Sequence, residues 1–345
     1  MSQETQESDR MVNRNQIEVL SMAEGFLQSS VLFALLKLRV FEYIDKGSKT
    51  LQEIAMEIKA RPETLSRLLN AGIVLKLLES KDGFNFRVAP FCRTVLTPSA
   101  GEHYLGDWIN NLEYMRTPLS MLDEAVLKSG PTIDPSTHLG GRDKEHLRNF
   151  TLAMHNYASF RGKELADFLS TVGCKSFLDL GCGPGTYAFY LGMRNPNMEL
   201  SLLDHPVVLE TAKEIQARYP LKNKIRYLPL DALKDDIPGS YDMILVSNTL
   251  HGLGENISRA LIKRLYNFIN HGGSLIIQAQ YLEDNRLGGR WPIFLDLMML
   301  CVSDSGRNHT QAETRQWMEE AGFTNIEFCR MTFLNTNSFL RGYKS

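Results

Sequence analysis

Apolar residues in the first half of the chain recur at helical spacing. From Gln16 to Leu38 they stand at Ile17, Leu20, Met22, Phe26, Leu27, Val31, Leu32, Ala34, Leu35 and Leu38. That predicts a helix that is apolar on more than one face, which needs a partner on several sides. A second subunit and a buried place within the chain both meet that need. No uninterrupted apolar run is of membrane-spanning length. Residues 1–14 are polar, which predicts a disordered tail rather than a signal peptide. Thr50 and Glu53 have the spacing of a capping box, and Pro62 suits the first turn of a further helix. Lys81-Asp-Gly83 is a hairpin turn between Leu77–Glu79 and Phe84–Val88. Helices followed by a hairpin predict a winged helix-turn-helix over residues 15–100.

Residues 101–170 are predicted as a helical bridge and substrate cap. One helical stretch covers Gly101 to Leu127 and another covers Glu145 to Leu169, with a glycine- and proline-rich loop from Ser129 to Gly141 between them. From 171 to 345 the pattern changes. Short apolar runs alternate with helical segments: Phe177–Leu180, Leu200–Asp204, Val207–Arg218, Ile225–Leu230, Tyr241–Ser247, Ile257–Asn270 and Ser274–Tyr281. This is the rhythm of an α/β domain with a mostly parallel sheet. Gly272-Gly273 is expected to close the helix before the fifth strand. Thr310 is expected to cap a helix that Gly322 ends. Ile326–Met331 and Ser338–Tyr343 bring the strands to seven.

The first strand of this domain runs into Asp179-Leu-Gly-Cys-Gly-Pro-Gly185. Strand, glycine turn, then helix is how an open α/β sheet presents a nucleotide. The spacing differs from the dinucleotide G-x-G-x-x-G, and no P-loop lysine follows. The second strand ends in Asp204, 25 residues after Asp179. An acid there can accept hydrogen bonds from both ribose hydroxyls.

Composition narrows the function. The net charge is −2 over 345 residues, against a nucleic-acid binder driven by bulk charge. Arg61, Arg67 and Asn70, interrupted by Glu63, are a thin set for reading DNA. The five cysteines form no C-x-x-C pair and the eight histidines no H-x-x-x-H pair. That predicts reduced thiols in a cytoplasmic protein and no metal site.

Asp231 and Ala232 follow the third strand. The carboxylate can accept from an adenine amino group, or cap the next turn. The fourth strand ends in Ser247-Asn-Thr-Leu-His251, which opens into the same cleft as the glycines. His251 is therefore a candidate general base, or a histidine satisfied at a strand end.

Four stretches together resemble the plant-type, hydroxyindole-like O-methyltransferase family, including its bacterial natural-product members. They are Phe177-Leu-Asp-Leu-Gly-Cys-Gly-Pro-Gly185; Leu202-Leu-Asp-His-Pro206, like D-L-P; Leu250-His251, like L-H-D-W; and Ser305-Gly-Arg-Asn-His-Thr310, like G-G-x-E-R-T. The resemblance covers Gln16 to Tyr343. It implies an N-terminal winged-helix dimerisation domain, a class I (Rossmann-like) methyltransferase domain with S-adenosylmethionine (SAM) as cofactor, and a homodimer. It places Asp179, Gly181, Gly183, Asp204, His205, Asp231, Ala232, Ser247 and Asn248 around the cofactor. Gly181 would meet its methionine part, Asp204 its ribose, and Asp231 and Ala232 its adenine. His251 would be the general base.

Trp108, Met154, His155, Trp291, Phe294 and Met298 fall where the family's acceptor pocket lies, and Met299 beside them. An aromatic or polyketide-like acceptor suits that wall. The departures from the family are Gly252-Leu253 after the histidine, Ser247 where Lys or Arg is usual, and Ala279 where an acid orients the histidine. Asp296 and Glu283 are possible replacement acids. The alternatives are a carbon or nitrogen acceptor, a non-methylating enzyme of the same fold, and a SAM-sensing winged-helix transcription regulator.

Overall fold

A computed structural model describes residues 3–135, 144–331 and 338–345, with residues 3–10 described by their backbone. Residues 136–143 of the glycine-rich loop lie outside the described residues. The chain divides into two compact units, Met1–Asn110 and Asn111–Ser345.

In the first unit, α1 (Gln3–Ala23) and α2 (Gly25–Lys37) take up the apolar N-terminal stretch. The expected tail is instead the start of α1. Glu, Gln and Arg are good helix formers, and no Gly or Pro interrupts residues 3–14. Most of this stretch faces outward: Ile17 is 67% exposed, Met22 78% and Phe26 64%. By length and composition, Met11–Lys37 meets the requirement for crossing a membrane. Helices of soluble proteins pass the same test.

Next come α3 (Val40–Tyr43), β1 (Lys49–Thr50), α4 (Leu51–Glu57), α5 (Pro62–Val74), β2 (Leu78–Glu79), β3 (Asn85–Val88) and α6 (Pro90–Leu96). Thr50 and Glu53 form the capping box, and Pro62 opens α5. The three strands pair antiparallel in the order β1-β3-β2. Leu35, Phe41, Ile54, Leu69 and Phe86 form the core of this winged-helix unit.

The helix α7 (Gly106–Leu119) crosses the unit boundary. It is followed by α8 (Leu122–Lys128) and the long α9 (Lys144–Phe168). The stretch expected as one helix from Gly101 is broken there, because Gly101 takes a φ of 57° between two turns.

The rest alternates: β4 (Ser176–Leu180), α10 (Thr186–Arg194), β5 (Glu199–Asp204), α11 (Pro206–Gln216), β6 (Ile225–Pro229), β7 (Tyr241–Ser247), α12 (Glu255–Tyr266), β8 (Ile269–Ala279), α13 (Arg290–Val302), α14 (Gln311–Glu320), β9 (Thr324–Arg330) and β10 (Ser338–Tyr343). These form one sheet of seven strands, ordered β6-β5-β4-β7-β8-β10-β9. The first five strands in that order are parallel, and β10 is antiparallel to both its neighbours.

Two apolar layers sandwich the sheet. On one face Ala158, Leu165, Ala188, Leu191 and Leu209 bring α9, α10 and α11 onto Phe177, Leu202 and Ile276. On the other, Leu261, Leu265, Trp317 and Met318 bring α12 and α14 onto Leu178, Ile244 and Ile277.

Gly272-Gly273 does not close α12. The helix gives way at Asn267, and the glycines form a bulge inside β8, between the pairs Tyr241–Ile269 and Met243–Ser274. A Cβ on Gly273 would lie 2.8 Å from the Asp242 carbonyl oxygen, so the close approach of β7 requires glycine there.

Candidate active site

From β4 the chain moves outward to β5 and β6, then returns to the other side of β4 as β7. A crevice opens at such a reversal, at the carboxyl ends of β4 and β7. Leu180 pairs with Val246, so the glycine turn and the Ser247–Gly252 segment leave the sheet side by side. A Cβ on Gly181 would lie 3.0 Å from Thr249 Oγ1.

The turn is held by its own backbone. The amides of Gly181 and Cys182 donate to the Leu203 carbonyl at 2.9 and 3.1 Å, and that of Gly185 donates to the Cys182 carbonyl. Gly181, Gly183 and Gly185 take φ values of +66°, +52° and +72°. That left-handed region is cheap only for glycine. Their surroundings differ. A Cβ on Gly185 would strike Leu202 and Phe189 at 2.5 and 2.7 Å, whereas one on Gly183 would meet nothing within 4 Å. Gly185 thus serves packing, and Gly183 faces open space.

Two carboxylates stand beside that space. The Gly183 amide donates to Asp204 Oδ2 at 2.8 Å, and the His205 amide to Oδ1 at 2.7 Å. Asp179 is 1% exposed, and neither of its oxygens has a hydrogen-bond partner. Burial, with the Asp204 charge second, pushes its pKa up to about 8. Burial also raises Asp204. Two buried acids with spare lone pairs suit a cationic, hydroxyl-bearing ligand. An adenosyl sulfonium is such a ligand, so the residues fit the cofactor.

The adenine candidates are less open. Asp231 accepts from the Leu233 amide at 2.9 Å and pairs with Lys234 at 2.8 Å, which lowers its pKa. It caps a turn, as its alternative reading expected. The Ala232 carbonyl accepts from Arg264 at 3.3 Å. His205 caps α11, accepting from Val207.

At the end of β7, Ser247 Oγ donates to Gln278 Oε1 at 2.8 Å, and Asn248 Nδ2 donates to Ser247 Oγ at 3.2 Å. The Asn248 amide donates to the Gln278 carbonyl, and Asn248 itself sits at φ +50°. His251 lies in a short 3-10 turn, Leu250–Gly252. Burial, then the nearby His309, lowers its pKa to about 4. Its Nδ1 is buried without a partner. Among the described residues, the only charge that shifts it is that of His309. Asp296 is engaged by the Asn308 amide at 2.6 Å, and Glu283 is exposed. His309 Nε2 instead donates to the carbonyl of the preceding residue, Leu250, at 3.2 Å.

The acceptor candidates divide. His155 is buried and hydrogen-bonded to Thr186 at 2.8 Å, edge-on to Tyr219. That places it in the packing of α9 against α10. Met298 and Met299 pack with Met115 and Ala125 in a separate cluster that Trp291 joins. Phe294 is exposed, with Arg290 5.2 Å above its ring. Met154 is half-buried on α9, and Trp108 belongs to the first unit. Sequence reading passed over Gln278, Tyr187, Arg161 and His309. Gln278 carried a signal, as a lone amide in the apolar run Leu275-Ile-Ile-Gln278.

A sequence profile described as the O-methyltransferase domain matches residues 130–324, and one described as the O-methyltransferase dimerisation domain matches residues 20–98. The chain is 27% identical over 312 residues to the tetracenomycin polyketide synthesis 8-O-methyl transferase of Streptomyces glaucescens, covering 90% of this chain and 91% of that protein. It is 24% identical to the 3-hydroxy-5-methyl-1-naphthoate 3-O-methyltransferase of Streptomyces sahachiroi, covering 94% of each. Its fold matches human N-acetylserotonin methyltransferase, solved in complex with SAM, with a TM-score of 0.85 and 21% identity over the whole of both chains.

Proposed function

Since this chain belongs to the O-methyltransferase family and is a SAM-dependent methyltransferase, we propose that it methylates a hydroxyl of an aromatic or polyketide-like small molecule, with His251 receiving the proton. The observation that carries this reading is the shared exit of the glycine turn and the His251 turn from adjacent strands. The cofactor supplies a methyl already activated on a sulfonium. The chain has only to align the acceptor and take its proton.

In this reading Gly181, Gly183, Ser247 and Asn248 border the methionine part, and Asp179 offsets its positive charge. Asp204, beside His205, holds the ribose. Asp231 and Ala232 border the adenine once Lys234 is displaced. Met154, Trp291 and Phe294 supply acceptor contacts, with His155 and Met298 behind them. The polyketide and naphthoate named for the two bacterial relatives motivate the acceptor class.

His251 is neutral throughout the physiological range and so able to accept, but it is a weak base. That favours an unusually acidic hydroxyl. It also supports a second reading, a carbon or nitrogen acceptor that needs little base help. The test is turnover of labelled SAM on a panel of hydroxynaphthoates, anthraquinones and matched amines. Transfer confined to phenols of low pKa is expected; transfer only to amines or carbon would replace the first reading with the second.

The exposed apolar residues Leu20, Met22, Phe26 and Leu27, within the matched dimerisation domain, support a homodimer. The free thiols support a cytoplasmic setting. Sedimentation should give a dimer that L20D/F26D dissociates. A monomeric parent would remove that assignment.

A further inference from the structure

The turn that carries His251 is gripped by a loop from far along the chain. Residues 303–310 join α13 to α14 and lie against that turn. A Cβ on Gly306 would lie 2.9 Å from the His251 carbonyl oxygen, and one on Gly254 would lie 3.0 Å from Ser305 Cβ. From this loop His309 reaches the turn with a side chain: its Nε2 lies 3.2 Å from the Leu250 carbonyl oxygen. A carbonyl only accepts, so Nε2 carries the proton. Burial holds the His309 pKa below the usual histidine value, so the ring is a neutral donor with a bare Nδ1. That Nδ1 is buried without a partner, and so is Nδ1 of His251.

The His309 ring is itself fixed. It is 3% exposed and stands edge-on to Trp317 of α14, with ring centroids 4.9 Å apart. The His309 carbonyl accepts from the Leu282 amide at 3.0 Å. Beside it, Asn308 Nδ2 donates to the carbonyls of Gln280 and Pro292 at 2.6 and 3.0 Å, and the Asn308 amide donates to Asp296. Two helices and the segment after β8 thus hold one imidazole, and its N–H is spent on the residue before His251. A buried donor on a backbone carbonyl is ordinary packing when the carbonyl belongs to a regular element. Here it belongs to a three-residue 3-10 turn, Leu250–Gly252, which the Gly252 and Leu253 amides close. So short a turn has no helix to fix its direction. What grips its first carbonyl sets where the next side chain points. Ala279, at the end of β8, offers His251 no polar side chain.

We propose that His309 is a positioning residue for His251: by gripping the Leu250 carbonyl it fixes the direction in which the next side chain enters the crevice. The proposal rests on reading His251 as the proton acceptor and adds how that base is held. A neutral donor orients the turn without placing a negative charge beside the base, so the imidazole is aimed but stays weak. That arrangement suits an acceptor with an acidic hydroxyl. A misplacement of about 1 Å at a reacting group can cost about 10²-fold in rate, so a contact made through the backbone shows in kcat.

Kinetics with labelled SAM and the phenol of the panel that turns over fastest test this. H309L removes the donor at similar bulk. Its kcat should fall about 10–100-fold, with KM and the S-adenosylhomocysteine Kd within twofold of the parent. H309Q, whose amide nitrogen reaches as far as Nε2, should recover most of the loss. H309N, one methylene shorter, should not, and it takes the place of H309L if that variant does not fold. Because His309 acts only through His251, H251A/H309L should be within twofold of H251A alone. Histidine nitrogen NMR of the parent should show Nε2 protonated and Nδ1 bare on His309. Losses that multiply in the double variant, a matching fall in cofactor affinity, no loss in a folded Leu or Asn variant, or a protonated Nδ1 each overturn the proposal. If H251A itself loses less than tenfold, or the parent methylates no phenol, the base reading fails and this inference with it.

Discussion

The glycine turn after β4 and the histidine turn after β7 leave neighbouring strands at the same level, yet they are held by different means. The first is closed by amides donating to Leu203, Cys182 and Asp204, and its polar side chains come from two consecutive strands. The second depends on distant segments: Gln278 for Ser247 and Asn248, and His309 for the Leu250 carbonyl. The cofactor side is thus a local device that a short motif can specify. The side proposed to meet the acceptor is a convergence of β7, β8 and the loop before α14. A fixed cofactor site beside a variable acceptor site lets one fold serve many acceptors.

The largest expected effect bears on the acceptor side. His251→Ala should lower kcat about 10²–10⁴-fold if the imidazole takes the proton. A loss below tenfold, with the cofactor Kd unchanged, would mean that the acceptor gives up its proton unaided and that the two turns differ more than proposed.

On the cofactor side, Gly185→Ala and Gly183→Ala should separate. Both force a left-handed residue, costing about 1–2 kcal/mol. Only the Gly185 variant also drives a methyl into Leu202 and Phe189, which raises its cost to about 2–4 kcal/mol in urea unfolding. The Gly183 variant should stay folded and lose cofactor affinity. Equal destabilisation with intact binding would show that the space beside Gly183 is not where the ligand lies.

The last effect is a pH dependence through Asp179. Its native pKa is raised to about 8, from about 3.9 for a free aspartate. Between those values the native state holds a proton that the unfolded chain has released. The stability of the ligand-free protein should therefore fall as pH rises from about 4 to 8 and level off above. A cationic ligand favours the ionised form, so SAM, with its sulfonium, should bind more weakly below pH 8, by at most about tenfold per pH unit. An affinity flat from pH 6 to 9 would remove Asp179 from the charge balance.

Much of this molecule was legible from residue order. The capping boxes at Thr50 and Thr310, Pro62 at the start of α5, and the alternation from β4 to β8 follow from neighbours in the chain, and so does the bend at the three glycines. Local rules fix such features because the atoms that cause them lie within a turn of each other.

Other features were decided in three dimensions. Gly272-Gly273 looked like a helix stop and became a bulge because β7 presses on it. Met298 and Met299 meet Met115 of α7 and Ala125 of α8, partners far away in the chain. Arg161 is a polar position on α9 that tertiary contacts bury. Sequence pattern states which residues are apolar, charged or free to turn. Which of them face each other, and which charge ends without a partner, depends on contacts between residues far apart in the chain, and only the folded structure brings those together.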